Sequence, residues 1–362
     1  MKNMEKPVYS KAENIAVFAA LAMILEAAAY PKPGNVHRLK DFKDTSFEHF
    51  MASAAATQSV FFKCAAATTA AAATTAAVAT AAVATAAAAP TAASSSSLQN
   101  HEISFGSLFF EAVEKSRTFQ NGGNTHFGTF ILLLPIAAAA GVLPAGTDSK
   151  TLVRKAAGIC RDTAVEDAVC FYKAFGQLPV PVMKTDEAES PYDLTNPAAF
   201  EKIQRDGVTL FNLMEMGAAR DMVAREWVNG FEKSLLFSKK LQENKARFLR
   251  RPEMCFGSVI NSAVIYTFLE FLAAGPDTFI STKFDEKTAA GVQRKAAKIL
   301  FRNKGRKNEG TKNKGKRRNL KKMIPKIKKL DNVLHNSKMN PGSTADIAAA
   351  GIFIALLNGM TL

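Results

Sequence analysis

The chain has 362 residues, of which 48% are hydrophobic, so it can form one large domain or two ordinary domains with a sizeable core. The formal net charge is +15, but residues 294–329 alone carry 17 Lys and Arg against one acid, Glu309. The rest of the chain is therefore nearly neutral. This excludes a fold that is basic over its whole surface and confines the positive charge to one segment.

Ala, Leu, Met and Phe outweigh alternating runs of Val, Ile and Thr, and this composition predicts an all-α fold. We expect a single domain over residues 1–362, a multi-helix bundle in which polar turns between buried apolar helices form the site. A capping box at Thr45-x-x-Glu48 is predicted to open a helix that ends near Lys63. Two stretches interrupt the bundle: a low-complexity Ala/Thr insertion at 65–100, either partly helical or disordered, and a Lys/Arg-rich flexible loop at 303–329.

The cysteines and the start of the chain predict the compartment. Cys64, Cys160, Cys170 and Cys255 lie far apart and form no C-x-x-C pair, which is typical of free thiols in a reducing environment. The first residues are polar and unlike a signal peptide, and no strongly apolar run has the length of a membrane span. We therefore expect a cytoplasmic protein without a membrane partner. The sequence is compatible with both a monomer and a homo-oligomer.

A stiff polar turn follows the first predicted helix. That helix begins at a capping box, Ser10-x-x-Glu13, and carries Glu26 near its end. Two prolines and a glycine in residues 31–38, PKPGNVHR, stop the helix. Lys32, His37 and Arg38 in this turn are donors suited to phosphate. A rigid corner with solvated charges is the plainer interpretation of the same residues.

A second polar turn, residues 121–128 (NGGNTHFG), precedes an uncharged apolar run of helical length. Glycines allow a ligand to approach the backbone closely, and the first turn of a helix offers unpaired N–H groups. The turn is therefore a candidate site for phosphate or carboxylate. The plainer alternative is an ordinary loop in which Asn124 or Thr125 caps a core helix.

A third turn, residues 339–346 (MNPGSTAD), leads into another apolar helix and places Asp346 in its first turn. It repeats the pattern of small residues ahead of a helix N-terminus. Three polar turns on an otherwise apolar bundle are more than packing requires, and sites in helical folds form where facing helices converge. We expect the three turns to contribute to one site.

Other carboxylates are candidates for a metal ion. Asp162 and Glu166 are four residues apart in a helix predicted to run from about residue 149 to about 175, so they would share a face and hold Mg²⁺ through water and substrate phosphates. A solvated helix face is the plainer interpretation of that pair. Asp277 is predicted to start a short helical segment that ends near Lys283.

The segments PKPGNVHR, GGNTHFG and NPGSTAD, in this order and after a helix that carries Glu26, resemble the triphosphoribosyl-dephospho-CoA synthase family. The similarity is greatest to the archaeal-type branch, through the stretches DTSFEHF, YDLTNP and EWVNGF. The Ala/Thr tract and the Lys-rich run depart from the family pattern. The resemblance implies an all-α transferase that moves the triphosphoribosyl group of ATP to the 2′-hydroxyl of 3′-dephospho-CoA and releases adenine.

Displacement at C1′ of a ribose needs a carboxylate for the developing positive charge or the hydroxyl proton, and a donor for the departing adenine. We predict Asp346, Glu26 and His126 as catalytic residues. Residues of the three turns are predicted to bind the nucleotide and its phosphates: Lys32, Gly34, Asn35, His37, Gly123, Asn124, Thr125, Gly128, Asn340, Gly342, Ser343 and Thr344. Mg²⁺ is the expected cofactor for the ATP substrate, with Asp277, Asp162 and Glu166 as candidate ligands.

Two other functions stay open. A related nucleotide-dependent pentosyl transferase with a different acceptor would use the same turns. A non-catalytic, RNA-associated helical protein is suggested only by the Lys-rich run, which lacks the interleaved aromatic residues of a nucleic-acid stacking surface.

Overall fold

The computed structural model describes residues 9–84, 104–177, 192, 193, 196, 198–301 and 319–362, and for residues 71–84 the backbone alone. Within these residues the chain forms fifteen α-helices, a 3₁₀ segment at Pro252–Met254 and no β-strand, so the predicted all-α class is confirmed. The helices are α1 (Lys11–Ala28), α2 (Phe47–Ala84), α3 (Phe105–Ser116), α4 (Phe127–Val142), α5 (Ser149–Arg161), α6 (Val165–Phe175), α7 (Ala199–Asp206), α8 (Leu210–Gly217), α9 (Met222–Val228), α10 (Glu232–Arg250), α11 (Val259–Ala274), α12 (Thr278–Lys283), α13 (Glu286–Leu300), α14 (Leu320–Asn336) and α15 (Gly342–Leu357).

Helices α1, α4 and α15 lie at the centre of the bundle. α4 and α15 are apolar on nearly every face, which is the pattern of a helix surrounded by other helices. α4 packs against α1, α2, α5 and α15, and α15 packs in addition against α10. A search of the described residues finds no helix with both the length and the apolar character of a membrane span.

Several local signals in the sequence correspond to observed helix starts. Ser10 Oγ accepts a hydrogen bond from the N–H of Glu13, and the Glu13 carboxylate accepts one from the N–H of Ser10 at 2.6 Å, which confirms the capping box of α1. Asp277 begins α12, which ends at Lys283 as expected. The four cysteines are free thiols. Such signals are readable from sequence because each depends on residues only a few positions apart.

The second helix begins at Phe47, within the predicted capping box, but its predicted end near Lys63 is wrong. α2 continues beyond Lys63 through the Ala/Thr tract to Ala84. Alanine is the best helix former, and threonine hydroxyls return to carbonyls one turn back, as Thr69 does to Ala65 at 2.7 Å. Ser46, rather than Thr45, directly precedes the first residue of α2, and Thr45 Oγ1 accepts the N–H of Gly123 at 3.2 Å. Residues 85–100 of the predicted insertion lie outside the described residues.

The predicted flexible loop at 303–329 is wrong for residues 320–329, which belong to α14. Leu320, Met323, Ile324 and Ile327 follow helical spacing and are buried, while several lysines between them remain exposed. The basic composition concealed an amphipathic helix. Residues 303–318 lie outside the described residues.

A buried carboxylate joins α12 to the start of α15. Asp277 Oδ1 accepts the N–H of Ile280 at 3.1 Å, and its Oδ2 accepts the N–H of Thr344 at 2.7 Å and the Thr344 hydroxyl at 2.6 Å. Burial raises the pKa of Asp277 to about 6, while these hydrogen bonds favour the ionised form. Asp277 therefore positions the first turn of α15 through Thr344, which is two residues before Asp346.

Replacing Asp277 with Ala is expected to lower the free energy of unfolding by about 2–4 kcal/mol, because the N–H and hydroxyl of Thr344 lose their buried acceptor. The matched control is Asp285→Ala, which removes the exposed cap of α13, a carboxylate that accepts the N–H of Thr288 at 2.6 Å. This control should cost clearly less, because water can replace the exposed cap. Denaturant unfolding measures both, and equal losses would contradict the linking role of Asp277.

Candidate active site

A cavity of about 370 Å³ lies where several helix ends meet. The last turn of α1, the first turns of α2, α4 and α15, and residues of α12 contribute to its wall. Three of these are helix N-termini, whose dipoles favour an anion. The structure brings these predicted site residues to the cavity wall: Glu26, Lys32, Asn35, Gly123, Asn124, Thr125, His126, Gly128, Asn340, Gly342 and Asp346.

Asp346 belongs to α15, and its carboxyl group contacts the first turn of α4. Its Oδ1 accepts the hydroxyl of Thr129 at 2.6 Å. A Cβ on Gly128 would overlap the other oxygen, Oδ2, so only glycine allows this approach. Removal from water is the main reason that the pKa of Asp346 is raised to about 8, and the negative charge of Glu26 adds to the effect. Asp346 therefore retains its proton near neutral pH.

Lys32 and Glu26 form an ion pair in the wall of the cavity, with 1% and 4% of their surfaces exposed. Lys32 Nζ also donates to the Glu26 carbonyl at 2.8 Å, which caps the end of α1. Burial lowers the pKa of Lys32 and raises that of Glu26, and the attraction between the two charges opposes both shifts. The PKPG turn carries Lys32 back to the helix that bears Glu26.

His126 is buried at the start of α4. Its Nδ1 lies 2.9 Å from Ser53 Oγ, and the ring meets Phe50 edge to face at 5.0 Å. Burial, together with the nearby charge of Lys32, lowers the pKa of His126 to about 3. The imidazole is therefore neutral, which favours a hydrogen-bonding role for His126 over that of a proton donor.

Three buried polar atoms in the cavity wall have no hydrogen-bond partner among the described residues: Asn35 Nδ2, Thr125 Oγ1 and His126 Nε2. A buried polar group without a partner is costly, so native structures seldom contain several in one place. Asn124 is different, because its Oδ1 accepts the N–H of Phe127 at 3.1 Å and caps α4. The unpartnered atoms come from two of the predicted turns and indicate the place of a polar ligand.

Sequence reasoning missed the lysines at the mouth of this cavity. Lys43, Lys283 and Lys338 come from three separate segments and line it together with Asp44. Partial burial lowers the pKa of Lys283. Asp44 raises this pKa and Lys338 lowers it, so both charges lie near Lys283. Each lies within a few residues of a predicted helix boundary, and this position was the one indication in the sequence that these lysines could lie near the site. We call these three residues the lysine cluster.

Aromatic rings line the same cavity and were also missed: Phe42, Phe50, Phe127 and Phe279. Phe42 stacks on His335 with a centroid distance of 4.4 Å, and Phe127 meets Phe175 edge to face at 4.5 Å. Their apolar faces suit the base of a nucleotide. The sequence distributes these phenylalanines over four segments, so only the folded chain reveals the grouping.

Two predicted residues of the first turn, Gly34 and His37, lie behind the cavity wall. The Gly34 N–H donates to Asp331 Oδ1 at 2.9 Å, and His37 Nε2 lies 3.2 Å from Asp331 Oδ2. Gly34 has a φ of +76°, and a Cβ there would lie 2.5 Å from the Met339 carbonyl. These residues therefore anchor the turn to α14.

His37, Asp331 and His335 place their donor atoms within 4.8 Å of one another. The Leu39 N–H donates to His37 Nδ1 at 3.3 Å, which leaves the ring proton on Nε2, facing the carboxylate. His335 Nε2 lies 2.9 Å from the Asn35 carbonyl, a contact that places its proton there. The arrangement is that of a hydrogen-bonded anchor, because metal ligation would require both Nε2 atoms without a proton.

The other predicted residues lie outside the cavity wall. Ser343 Oγ lies 2.9 Å from Thr278 Oγ1, and Thr344 binds Asp277, so all of these groups have partners within the fold. The prediction of one helix through Asp162 and Glu166 is wrong. α5 ends at Arg161 and α6 begins at Val165, so the two exposed carboxylates are on different elements, and the basis for a shared metal site is lost.

A family model described as ATP:dephospho-CoA triphosphoribosyl transferase (CitG) matches residues 12–361. The chain belongs to this transferase family. The resemblance inferred from the three motifs is confirmed, and a non-catalytic helical protein is not favoured. ATP is a substrate of the family.

A solved structure from Archaeoglobus fulgidus, named as a candidate triphosphoribosyl-dephospho-CoA synthase, shares the fold. It superposes with a TM-score of 0.50 at 24% sequence identity, over 70% of this chain and 89% of that chain. The likeness is evidence for the all-α fold alone. A comparison with curated proteins found no match.

Replacing Asp346 with Asn is expected to stabilise the protein more at pH 8 than at pH 5. Above about pH 4 the unfolded wild-type chain releases this proton while the folded chain keeps it up to about pH 8, so wild-type stability falls over that range. Asn cannot ionise and still offers an oxygen to Thr129. The gain at pH 8 should be on the order of a few kcal/mol.

Thermal unfolding at both pH values measures this difference. The control is Asp148→Asn at the exposed cap of α5, where hydrogen bonds lower the pKa of the carboxyl group, so its effect should not change between pH 5 and 8. A pH-independent difference between wild type and Asp346→Asn would contradict a protonated Asp346.

Proposed function

We propose that this chain carries out the reaction of its family: the triphosphoribosyl group of ATP moves to the 2′-hydroxyl of 3′-dephospho-CoA, and adenine leaves. One observation carries the proposal. The protonated carboxyl group of Asp346, the ion-paired carboxylate of Glu26 and the lysine cluster all face one cavity at three helix N-termini. Pentosyl transfer from a nucleoside triphosphate needs an acid, a base and a triphosphate site.

The triphosphate binds at the mouth of the cavity, beside the lysine cluster. Ammonium groups at the end of flexible stems are suited to phosphates whose position changes during the reaction. The N-terminal ends of α4 and α15 add N–H donors, and the small residues Gly123 and Gly342 leave room for the chain of phosphates. The phenylalanine side chains of the wall contact the base.

The chemical step exchanges one bond at C1′ for another. The bond from C1′ to adenine N9 breaks, and a bond from C1′ to the acceptor oxygen forms. Asp346 gives its proton to the departing adenine, since its pKa of about 8 keeps it protonated. Burial raises the pKa of Glu26 and so makes its carboxylate a stronger base, while the ion pair with Lys32 opposes that shift, and Glu26 takes the proton of the acceptor hydroxyl. Two carboxyl groups in different surroundings thus serve as acid and base.

The unpartnered atoms of Asn35, Thr125 and His126 orient the nucleotide. Each makes its hydrogen bond only when the ligand is present, so the cost of leaving it unpaired is recovered on binding. Neutral His126 offers Nε2 to an uncharged polar group of the ligand.

Mg²⁺ is the cation expected with the triphosphate, because it binds substrate phosphates through a small number of protein carboxylates and water. Asp44 is the carboxylate that lies beside the lysine cluster, and it would hold the ion. When bound, Mg²⁺ neutralises charge on the triphosphate.

The proposal is tested by incubating the protein with ATP, Mg²⁺ and dephospho-CoA and measuring adenine release. Replacing Asp346 with Asn should lower kcat by about 10²–10⁴ with little change in KM for ATP, because a proton donor is lost. The exposed carboxylates supply the controls, Asp162→Asn and Glu166→Gln, which should retain wild-type rates. Absence of adenine from the wild type, or unchanged kcat in Asp346→Asn, would contradict the proposal.

Replacing Lys283 with Gln should raise KM for ATP by roughly tenfold with a smaller effect on kcat, since one contact with the triphosphate is lost in ground and transition states alike. Lys287→Gln is the matched control, because Lys287 is an exposed lysine four positions further along that is not among the residues of the cavity wall. Equal values of KM for both variants would argue against the lysine cluster as the triphosphate site.

A further inference from the structure

A second cleft, of about 260 Å³, adjoins the turn that carries Lys32. Its wall includes Tyr30, Arg38 and Phe256. Asn261 fixes two sides of it, since its Nδ2 donates to the carbonyls of Tyr30 and Phe256 at 3.0 Å each. These two hydrogen bonds join the Tyr30 and Phe256 sides of the cleft.

Cations and aromatic rings meet at this cleft. Lys328 Nζ, from α14, lies 5.1 Å from the ring centroid of Tyr30 and 5.5 Å from that of Phe256. Arg38 Nε donates a hydrogen bond to the Ala28 carbonyl, and its Nη2 donates one to Asn261 Oδ1. The other guanidinium N–H groups remain for a ligand. Two positive groups beside two apolar rings suit a ligand that joins an anionic group to an apolar one.

The same turn contributes to both cavities. Tyr30 and Arg38 line the second cleft, while Lys32 and Asn35 line the first. Tyr30 and Lys32 are two residues apart, so their backbones are separated by at most roughly 7 Å. The second cleft therefore adjoins the Lys32–Glu26 pair, where the proposed function places the acceptor hydroxyl.

The acceptor has an anionic group close to the hydroxyl that reacts. In dephospho-CoA a 5′-diphosphate is attached to the same ribose, and the first carbons beyond it carry two methyl groups. ATP and the acceptor both bring several negative charges, and the lysine cluster can serve only one of them at a time. A second cationic site next to the reaction centre would neutralise the charge of the acceptor while the lysine cluster holds the triphosphate.

We propose that the cleft lined by Tyr30, Arg38 and Phe256, with Lys328 beside its two rings, binds the 5′-diphosphate of the acceptor and the dimethyl carbon that follows it, an inference that rests on the proposed function. Arg38 and Lys328 pair with the diphosphate, and the rings contact the methyl groups. The cleft makes the enzyme select a diphosphate-bearing nucleotide over a simple nucleoside.

The test combines two acceptors with two lysine variants. Adenosine has the same reactive ribose as dephospho-CoA but no diphosphate. Lys328→Gln should raise KM for dephospho-CoA by about tenfold or more and leave KM for ATP and the rate with adenosine unchanged. Lys329→Gln, an exposed neighbour on the same helix, is the matched control and should behave as wild type. Lys328→Arg should restore most of the affinity, because it keeps the charge.

The outcomes separate this inference from the proposed function. If the wild type releases adenine with dephospho-CoA and Lys328→Gln leaves its KM unchanged, the diphosphate site is wrong and the proposed function stands. If the wild type releases no adenine with either acceptor, the proposed function fails. Isothermal titration with dephospho-CoA and with adenosine then tests directly whether the cleft binds the diphosphate. If Lys328→Gln weakens the binding of dephospho-CoA but not that of adenosine, the diphosphate site is supported. If all variants bind dephospho-CoA equally, the diphosphate site is overturned.

Discussion

The buried ion pair between Lys32 and Glu26 is the interaction on which the candidate site depends. Removing two charges from water is costly, and only close pairing with further hydrogen bonds recovers the cost. Lys32 obtains these bonds because the PKPG turn returns it to the end of α1, where it contacts both the side chain and the carbonyl of Glu26. Its charge disfavours protonation of His126, and the charge of Glu26 favours the protonated form of Asp346. One pair thus contributes to the protonation states of both neighbours.

The packing of helix ends around the cavity is a second constraint on the candidate site. The N-termini of α2, α4 and α15 can face one cavity only if the residues between them are small, and Gly128 shows why, since a side chain there would displace Asp346. Asp277 adds a restraint from α12, because it binds the first turn of α15. The glycines of the motifs therefore have a packing reason in addition to any contact with phosphate.

The helical class, several helix starts and the three turns of the site could be predicted from the sequence, because they depend on composition and on residues a few positions apart. The lysine cluster could not, since its members come from segments that only tertiary packing brings together. Gly34, His37 and Thr344 were assigned to the ligand because donors near a Pro-Gly turn suit phosphate, yet the fold uses them to anchor the turns. In residues 320–329 the basic composition obscured the helical spacing of the apolar residues. Local chemistry identifies candidates, and the fold decides which of them face the cavity.

The central claim is that the cavity supports transfer of an intact triphosphoribosyl group. The most direct measurement uses ATP labelled with ¹³C in its ribose, incubated with dephospho-CoA and analysed by mass spectrometry. The account predicts unlabelled free adenine and a product that contains the labelled ribose together with all three phosphates. Labelled ADP or AMP, with a product that gains phosphate but no labelled ribose, would contradict it, because the protein would then transfer phosphoryl groups instead of the pentosyl group.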